Sequence, residues 1–362
     1  LSSDFSKGSI VCICNYRGVG GAQLNASLMA AEFEKRGFKA EVIFLCEREE
    51  NYSPAVKFRV ILKDKRINLI NIWVLIYRLL KIFRHVKPVA VYGFQPAANA
   101  FGAIASKIVA KAKFIATQRN PSDRQSKIGR LLDRIIGSSF LYDSNIAVSN
   151  AVKDSYSGHG HKYYSKMLTV HNGTPVLEEI QLSKTEARAN FSMPEGALVL
   201  GIVARLHKQK NIKFAISILE KMPQAALYIA GEGPEEEDLR EYAKEKNVQD
   251  RVTFLGSIHG VRLTEFYRAM DVFLLTSIYE GFGRTIVEAL SQGLPVVAND
   301  IPIAREVAGH AGRYAVLDAD VWKEAILAAC SDREPGVAVA RAREFSIDRM
   351  AASYLEAAKL TD

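Results

Sequence analysis

Short apolar runs alternate along the whole chain with longer segments whose apolar positions recur every three or four residues. That alternation predicts repeated β–α–β units and a parallel sheet. Residues 10–15 read as a buried strand, followed by a glycine loop and a helix over about 22–36. Residues 40–45, 89–94, 114–117, 145–149 and 167–170 read as further strands. Over 69–87, Trp73, Ile76, Leu80 and Phe83 fall at helical spacing, and Pro88 stops the helix.

The pattern then restarts. Residues 198–204 read as a strand, a polar loop follows, and the next helix carries Phe214, Ile218, Leu219 and Met222 on its apolar side. Residues 226–230, 252–255, 272–275 and 295–298 read as strands with helices between them. A last helix is expected over about 347–360. Two β–α–β sets joined near residues 171–176 imply two doubly wound domains facing each other. Ligands in such folds bind at the carboxyl ends of the strands.

Length agrees with this division, since 362 residues favour two domains over one. Apolar residues make up 48% and charged residues 24%, so a disordered tail, a fibre and a disulfide scaffold are excluded. Net charge is +8 but uneven. Residues 1–172 hold 26 basic and 12 acidic side chains, and residues 173–362 hold 22 and 28. A basic first half suggests an anionic partner: phosphate, nucleic acid or a membrane surface. Cys12, Cys14, Cys46 and Cys330 lack zinc-site spacing and read as reduced core thiols of a cytoplasmic protein. No signal peptide is evident, and no apolar run reaches the ~20 residues of a membrane span. The chain begins at Leu1, so a native start is expected to precede it.

The segment Glu280-Gly281-Phe282-Gly283-Arg284-Thr285-Ile286-Val287-Glu288 carries the most chemistry. It follows an expected strand and runs into a helix, so backbone N–H groups and the positive helix end would face a phosphate there. Glu280 in the loop and Glu288 two turns on could hold opposite ends of a nucleotide-linked ligand. Alone, the segment is equally a helix with an acidic first residue and a surface glutamate. Arg205 ends one strand and Lys210 opens the next helix, a pair able to neutralise a diphosphate without metal. Alone, that is an exposed basic loop. Gly231-Glu232-Gly233-Pro234 is a third loop, by itself an ordinary turn. All three follow strands of one expected sheet and so converge on one edge.

With these residues in hand, the chain resembles the family-four retaining glycosyltransferases of the GT-B fold, most closely over residues 199–309. Glu280 and Glu288 match the family's Glu-x7-Glu pattern, Arg205 and Lys210 its Arg-x4-Lys pair, and Gly231–Pro234 its Gly-x-Gly-Pro loop. Phe254-Leu255-Gly256 and Ala269-Met270-Asp271 fall in the matching order. The first half matches more loosely, through Gly20-Gly21-Ala22-Gln23 and Asn172-Gly173.

The resemblance implies an acceptor-side domain over 1–173 and a donor domain over 174–346, with the closing helix, about 347–362, able to pack back on the first. It implies that Glu288 binds ribose hydroxyls and Glu280 the transferred sugar. Arg205 and Lys210 would clamp the diphosphate as leaving group. Backbone at Phe282 and Gly283 would face phosphate or sugar, and loops at Gly231, Gly233 and Leu255 would flank the base. No metal and no separate cofactor is expected. Retention is expected by front-face attack, since no carboxylate is placed as a nucleophile.

Three positions depart from the pattern. Many relatives have a histidine near the reacting sugar where this chain has Gln118 or Arg119. Arg284 stands where an apolar residue is usual, and reads either as an extra phosphate contact or as a solvent-facing side chain. Asn211 replaces a glycine. The loop Gly18-Val19-Gly20-Gly21 could be a dinucleotide fingerprint, but Gln23 takes the third glycine's place and Glu47 lies 29 residues after Gly18, beyond the usual ~20. The resemblance instead puts Gly20 and Gly21 beneath the donor phosphates and the acceptor.

Basic stripes on the first half complete the picture. Arg78, Lys81, Arg84 and Lys87, then Arg124, Lys127, Arg130 and Arg134, then Lys107, Lys111 and Lys113, are singly solvated helix faces. Jointly they fit an anionic membrane surface, about 1 kcal/mol per residue. Nucleic acid is not expected, for want of aromatic platforms or a recognition helix. His159-Gly160-His161 reads as solvent-facing polarity, with an acceptor role open. The expectation is a hexose transfer from a nucleotide diphosphate sugar, UDP-linked, to a glycan or lipid-linked acceptor. Its setting would be bacterial surface polysaccharide or lipopolysaccharide synthesis, at the inner membrane face. A nucleotide-sugar epimerase of the same fold and a non-catalytic sugar-nucleotide binder are the alternatives.

Overall fold

The computed structural model describes residues 7–360 apart from 19, 50, 51, 69, 176, 178 and 179. Val19 of the glycine loop, Leu69 at the start of the expected 69–87 helix, Val176 in the expected join and residues 361–362 lie outside the described residues. The chain divides into two compact units, Leu1–Gly173 with Ile347–Asp362, and Thr174–Ser346.

The first unit holds seven strands: β1 (Ser9–Arg17), β2 (Lys39–Glu47), β3 (Phe58–Leu62), β4 (Ala90–Gly93), β5 (Lys113–Gln118), β6 (Ser144–Ala147) and β7 (Met167–Thr169). They lie in the order β3-β2-β1-β4-β5-β6-β7, every pair parallel. Alternation along β1 feeds two cores. Ile10, Cys12 and Cys14 meet Phe33 of the Gly21–Lys35 helix, while Val11 and Ile13 join Leu75, Leu79 and Phe83 of the Ile72–Val86 helix. The four cysteines are free; Cys12, Cys14 and Cys46 are buried, and burial pushes the Cys12 thiol up.

The Ile72–Val86 helix turns Phe83 into the core and packs Ile76 and Leu80 against it, but not Trp73. Leu75, Leu79 and Phe83 are buried, whereas Trp73 is 73% exposed. The helix is apolar on more than one side, so periodicity alone did not choose the face that meets the sheet. The closing helix, Ile347–Ala357, belongs to the first unit. Its Tyr354 ring lies 5.4 Å from Tyr92, and Tyr92 donates its hydroxyl to the Tyr354 carbonyl at 2.8 Å.

The second unit holds β8 (Leu198–Val203), β9 (Ala225–Ala230), β10 (Val252–Phe254), β11 (Val272–Leu275), β12 (Val296–Asn299) and β13 (Gly312–Ala315). Their order is β10-β9-β8-β11-β12-β13, again all parallel. Leu200, Ile202, Leu227, Ile229 and Leu274 form the core with Trp322, which meets Phe214 edge-on at 5.4 Å. The strand order reverses between β8 and β11. The loops leaving those two strands therefore lie side by side at the carboxyl end of the sheet, where ligands bind in such folds.

Candidate functional site

Two loops meet at that reversal, one after β8 and one after β11. Backbone geometry sews them together: Ile278 donates its N–H to the Gln209 carbonyl at 2.9 Å. Gln209 Nε2 donates to the Tyr279 carbonyl at 2.8 Å, and Thr276 Oγ1 donates to the Lys210 carbonyl at 2.8 Å. The stitching brings together side chains 70 residues apart. Lys210 Nζ stands 2.5 Å from Glu280 Oε1, which also accepts from Ser277 Oγ at 2.7 Å. Asn299 Nδ2 in turn holds the Ser277 carbonyl at 3.0 Å. Glu280 Oε2 makes no hydrogen bond among the described residues, so it is the oxygen left for a ligand. Lys210 keeps two ammonium protons beyond the one it gives Glu280.

Glu288 lies one turn into the Arg284–Ser291 helix, whose N-terminus follows Gly283 in the left-handed region at φ 77°. Its carboxylate is 4% exposed. Tyr267, fully buried, donates its hydroxyl to Glu288 Oε2 at 2.8 Å. Burial and then the adjacent carboxylate push the tyrosine's pKa up, so it stays a donor. Arg284 Nε pairs with Glu288 Oε1 at 2.8 Å. The charge of Arg284 thus balances the buried glutamate, and its two Nη groups remain beyond that contact.

Arg205 is exposed just past β8 and makes no ion pair among the described residues, which leaves its guanidinium available. The Gly231–Pro234 turn packs directly under that loop. A Cβ on Gly231 would lie 1.9 Å from the Ala204 carbonyl oxygen, and one on Gly233 2.2 Å from that of Leu206. Gly231 donates its N–H to the Gly256 carbonyl at 2.8 Å, bringing the half-buried Leu255 alongside. Phe282 is 4% exposed and packs edge-on against Phe345 at 5.4 Å, so only its backbone can face a ligand. Among the described residues no group of three His, Cys, Asp or Glu side chains is arranged to hold a metal ion.

In the first unit the candidates separate. Gln118 is 2% exposed and its amide is spent: Nε2 donates to Asp133 and, at 3.1 Å, to Tyr163, and Oε1 accepts from Tyr156 at 3.0 Å. It props up the end of β5 and is not open to a sugar. Arg119 is half-buried over the Phe94 ring, with Nη2 donating to Asn172 Oδ1 at 3.1 Å. Burial draws its pKa below the usual arginine value. Asn172 Oδ1 also accepts from Asn25 at 2.8 Å.

Gly20 and Gly21 open the Gly21–Lys35 helix, and Gln23 folds back to donate to the Tyr16 carbonyl at 3.2 Å. Its amide lies where a Cβ on Gly20 would stand, filling the space a third glycine leaves open in a dinucleotide site. Glu47 is spent on Arg17 at 2.8 Å. His159 corrects the reading of its loop: it is 6% exposed, packed 4.8 Å from Tyr156 and 4.9 Å from Tyr163.

Sequence reasoning missed Tyr267, Ser277, Thr276 and Gln209. Each acts through another residue or through backbone, and no local pattern marks a hydroxyl that meets a carboxylate 21 positions away.

Residues 183–343 match the family model of the glycosyl transferases group 1. The O-antigen biosynthesis glycosyltransferase WclY of Escherichia coli is 32% identical over 143 residues, 40% of each chain. The lipopolysaccharide core biosynthesis mannosyltransferase LpsB of Rhizobium meliloti is 30% identical over 172 residues, 44% of this chain and 48% of its own. The chain thus matches less than half the length of these curated relatives. Among solved structures, Anabaena HepE in complex with UDP and glucose superimposes with a TM-score of 0.82 at 20% identity, covering 96% of this chain and 99% of that one. The chain has the GT-B fold, two parallel-sheet Rossmann-like domains, and most of its second unit, residues 183–343, matches the glycosyl transferases group 1 model.

Proposed function

We propose that the protein is a retaining glycosyltransferase that moves a hexose from a UDP-sugar to a glycan or lipid-linked acceptor, in surface polysaccharide or lipopolysaccharide synthesis. The observation that carries this reading is the Lys210–Glu280 pair at the strand reversal, with the unpaired Arg205 on the same loop after β8 as Lys210. Arg205 and Lys210 take the diphosphate and stabilise its charge as it leaves, without a metal ion. Glu280 Oε2 accepts from sugar hydroxyls and fixes the ring. Glu288, held by Tyr267, accepts from the ribose. The bond from the anomeric carbon to the donor phosphate breaks, and the acceptor oxygen bonds to that carbon on the same face. The acceptor's proton passes to the departing phosphate oxygen.

The names of the relatives support the pathway, and HepE, solved with UDP and glucose, supports the donor. Association with an anionic membrane surface belongs to the same reading and rests on the basic first half. No helix among the described residues is long and apolar enough to cross a membrane.

Release of UDP from UDP-hexoses, assayed with and without candidate acceptors and with EDTA, tests the reading. Acceptor-dependent release that persists in EDTA is expected. Turnover of the donor without acceptor would favour an epimerase, and binding with no turnover a non-catalytic binder.

A further inference from the structure

Arg284 is the first residue of its helix, and no side chain caps that helix end. Glu288 follows one turn later, so the two share a face. Arg284 Nε stands 2.8 Å from Glu288 Oε1, yet its N–H is not aligned on that oxygen and makes no hydrogen bond. The contact is one of charge alone. Tyr267 bonds only the other carboxylate oxygen, Oε2. Glu288 Oε1 therefore accepts no hydrogen bond among the described residues, and it is not sealed from solvent. The same holds for Arg284 Nη1 and Nη2, on a side chain that is 31% exposed.

Two unspent groups of opposite kind thus stand side by side. Oε1 is an acceptor that a hydroxyl can use. The Nη groups are the donors with which a guanidinium forms paired bonds to phosphate. An arginine locked to its carboxylate by two aligned bonds would have no such donors left. Here Glu288 balances the charge of Arg284 without consuming its fork, and Arg284 in turn spares a 4% exposed carboxylate the cost of standing uncompensated. A neutral sugar would satisfy only the carboxylate. A free phosphate would satisfy only the fork and would be repelled by the glutamate. A nucleoside phosphate carries a hydroxyl pair and an anionic oxygen a few bonds apart, and so suits both.

We propose that Arg284 binds the donor's phosphates while Glu288 binds its ribose, and that this division sets the preference of the site for a nucleoside diphosphate over the bare nucleoside. The proposal rests on the donor reading above and adds a third cation to Arg205 and Lys210. An apolar side chain at this position would supply neither the charge beside Glu288 nor the fork.

Titration of the full chain with uridine, UMP and UDP tests it, read as the ratio of UDP to uridine affinity. Arg284→Leu is expected to cut that ratio at least tenfold, because uridine has no phosphate to lose. Arg284→Lys keeps a cation beside Glu288 but loses the fork, and its ratio should fall between those of the parent and Arg284→Leu, with parental thermal melting. An unchanged ratio in Arg284→Leu, with UDP and uridine weakened alike, would make Arg284 a support for Glu288 only and overturn the phosphate assignment. Undiminished UDP binding in that variant would overturn it too. A parent that binds UDP no better than uridine would instead remove the donor reading, and this proposal with it.

Discussion

Lys210 and Glu280 pair with each other in the structure, and in the proposed reaction both meet the donor, which sets what their substitution should do. Lys210→Ala removes both a diphosphate donor and the partner of a nearly buried carboxylate, leaving Ser277 as its remaining contact. Transfer should fall by about 10²–10³ in kcat. Glu280→Gln keeps the Ser277 contact and should lose less than Glu280→Ala. UDP release under saturating donor checks the order, and near parental rates in Lys210→Ala would remove this site from the mechanism. Gly231 and Gly233 are needed for a different reason, the close approach of two carbonyl oxygens. Gly233→Ala should cost about 1–3 kcal/mol by overpacking. Thermal melting should then drop roughly 2–4 °C for each kcal/mol.

Among elements, Asp271 is the tie that holds the second unit's first helix to its sheet. It accepts from Lys184 Nζ at 2.5 Å and Arg188 Nη2 at 2.5 Å, both on the Lys184–Asn190 helix, and from the Val199 N–H at 2.8 Å. Burial works to raise the carboxyl's pKa, but these hydrogen bonds and the nearby cations hold it below the ordinary carboxylate value. Stabilisation from this group is therefore complete above the unfolded pKa, about 3.9, and drains away as pH falls through the lower folded value. Asp271→Asn should destabilise the second unit by about 1–3 kcal/mol at pH 7, since the group is only partly buried. It should also flatten the unit's acid-unfolding limb, which denaturant titrations between pH 3 and 7 would reveal. An acid limb as steep as the parent's would contradict the assignment.

Over the whole molecule, the chain leaves the first unit at Gly173 and returns to it at Ile347. The returning helix completes a core rather than decorating a surface: Met350, Ala351, Tyr354 and Leu355 share one cluster with Ile10, Cys12 and Tyr92. Truncation before Ile347 should expose that cluster and lower the melting of the first unit while sparing the second. Calorimetry resolving two transitions would show only the upper or only the lower one moving, and unchanged melting of both would count against the role given to the helix.

Much of the fold was legible from residue order because buried parallel strands are continuous apolar runs, and ten or more of those stand out here. The strands that escaped, β3 and β13, are sheet edges, where one side meets solvent and Phe58-Arg59-Val60-Ile61-Leu62 or Gly312-Arg313-Tyr314-Ala315 loses the signal. Residue types and spacing put Arg205, Lys210, Glu280 and Glu288 on loops after strands of one sheet, and the family resemblance gave them their expected roles. Tertiary structure decided the pairings. Only folding could give Glu280 to Lys210, Glu288 to Tyr267 and Gln118 to Asp133, since each pairing depends on which distant segments the packed sheet brings within reach, whereas Arg284 and Glu288 are four apart on one helix. It also decided which face of a helix is spare, leaving Lys127, Arg130 and Arg134 without carboxylates, because burial is settled by the sheet beneath and not by the helix's own sequence.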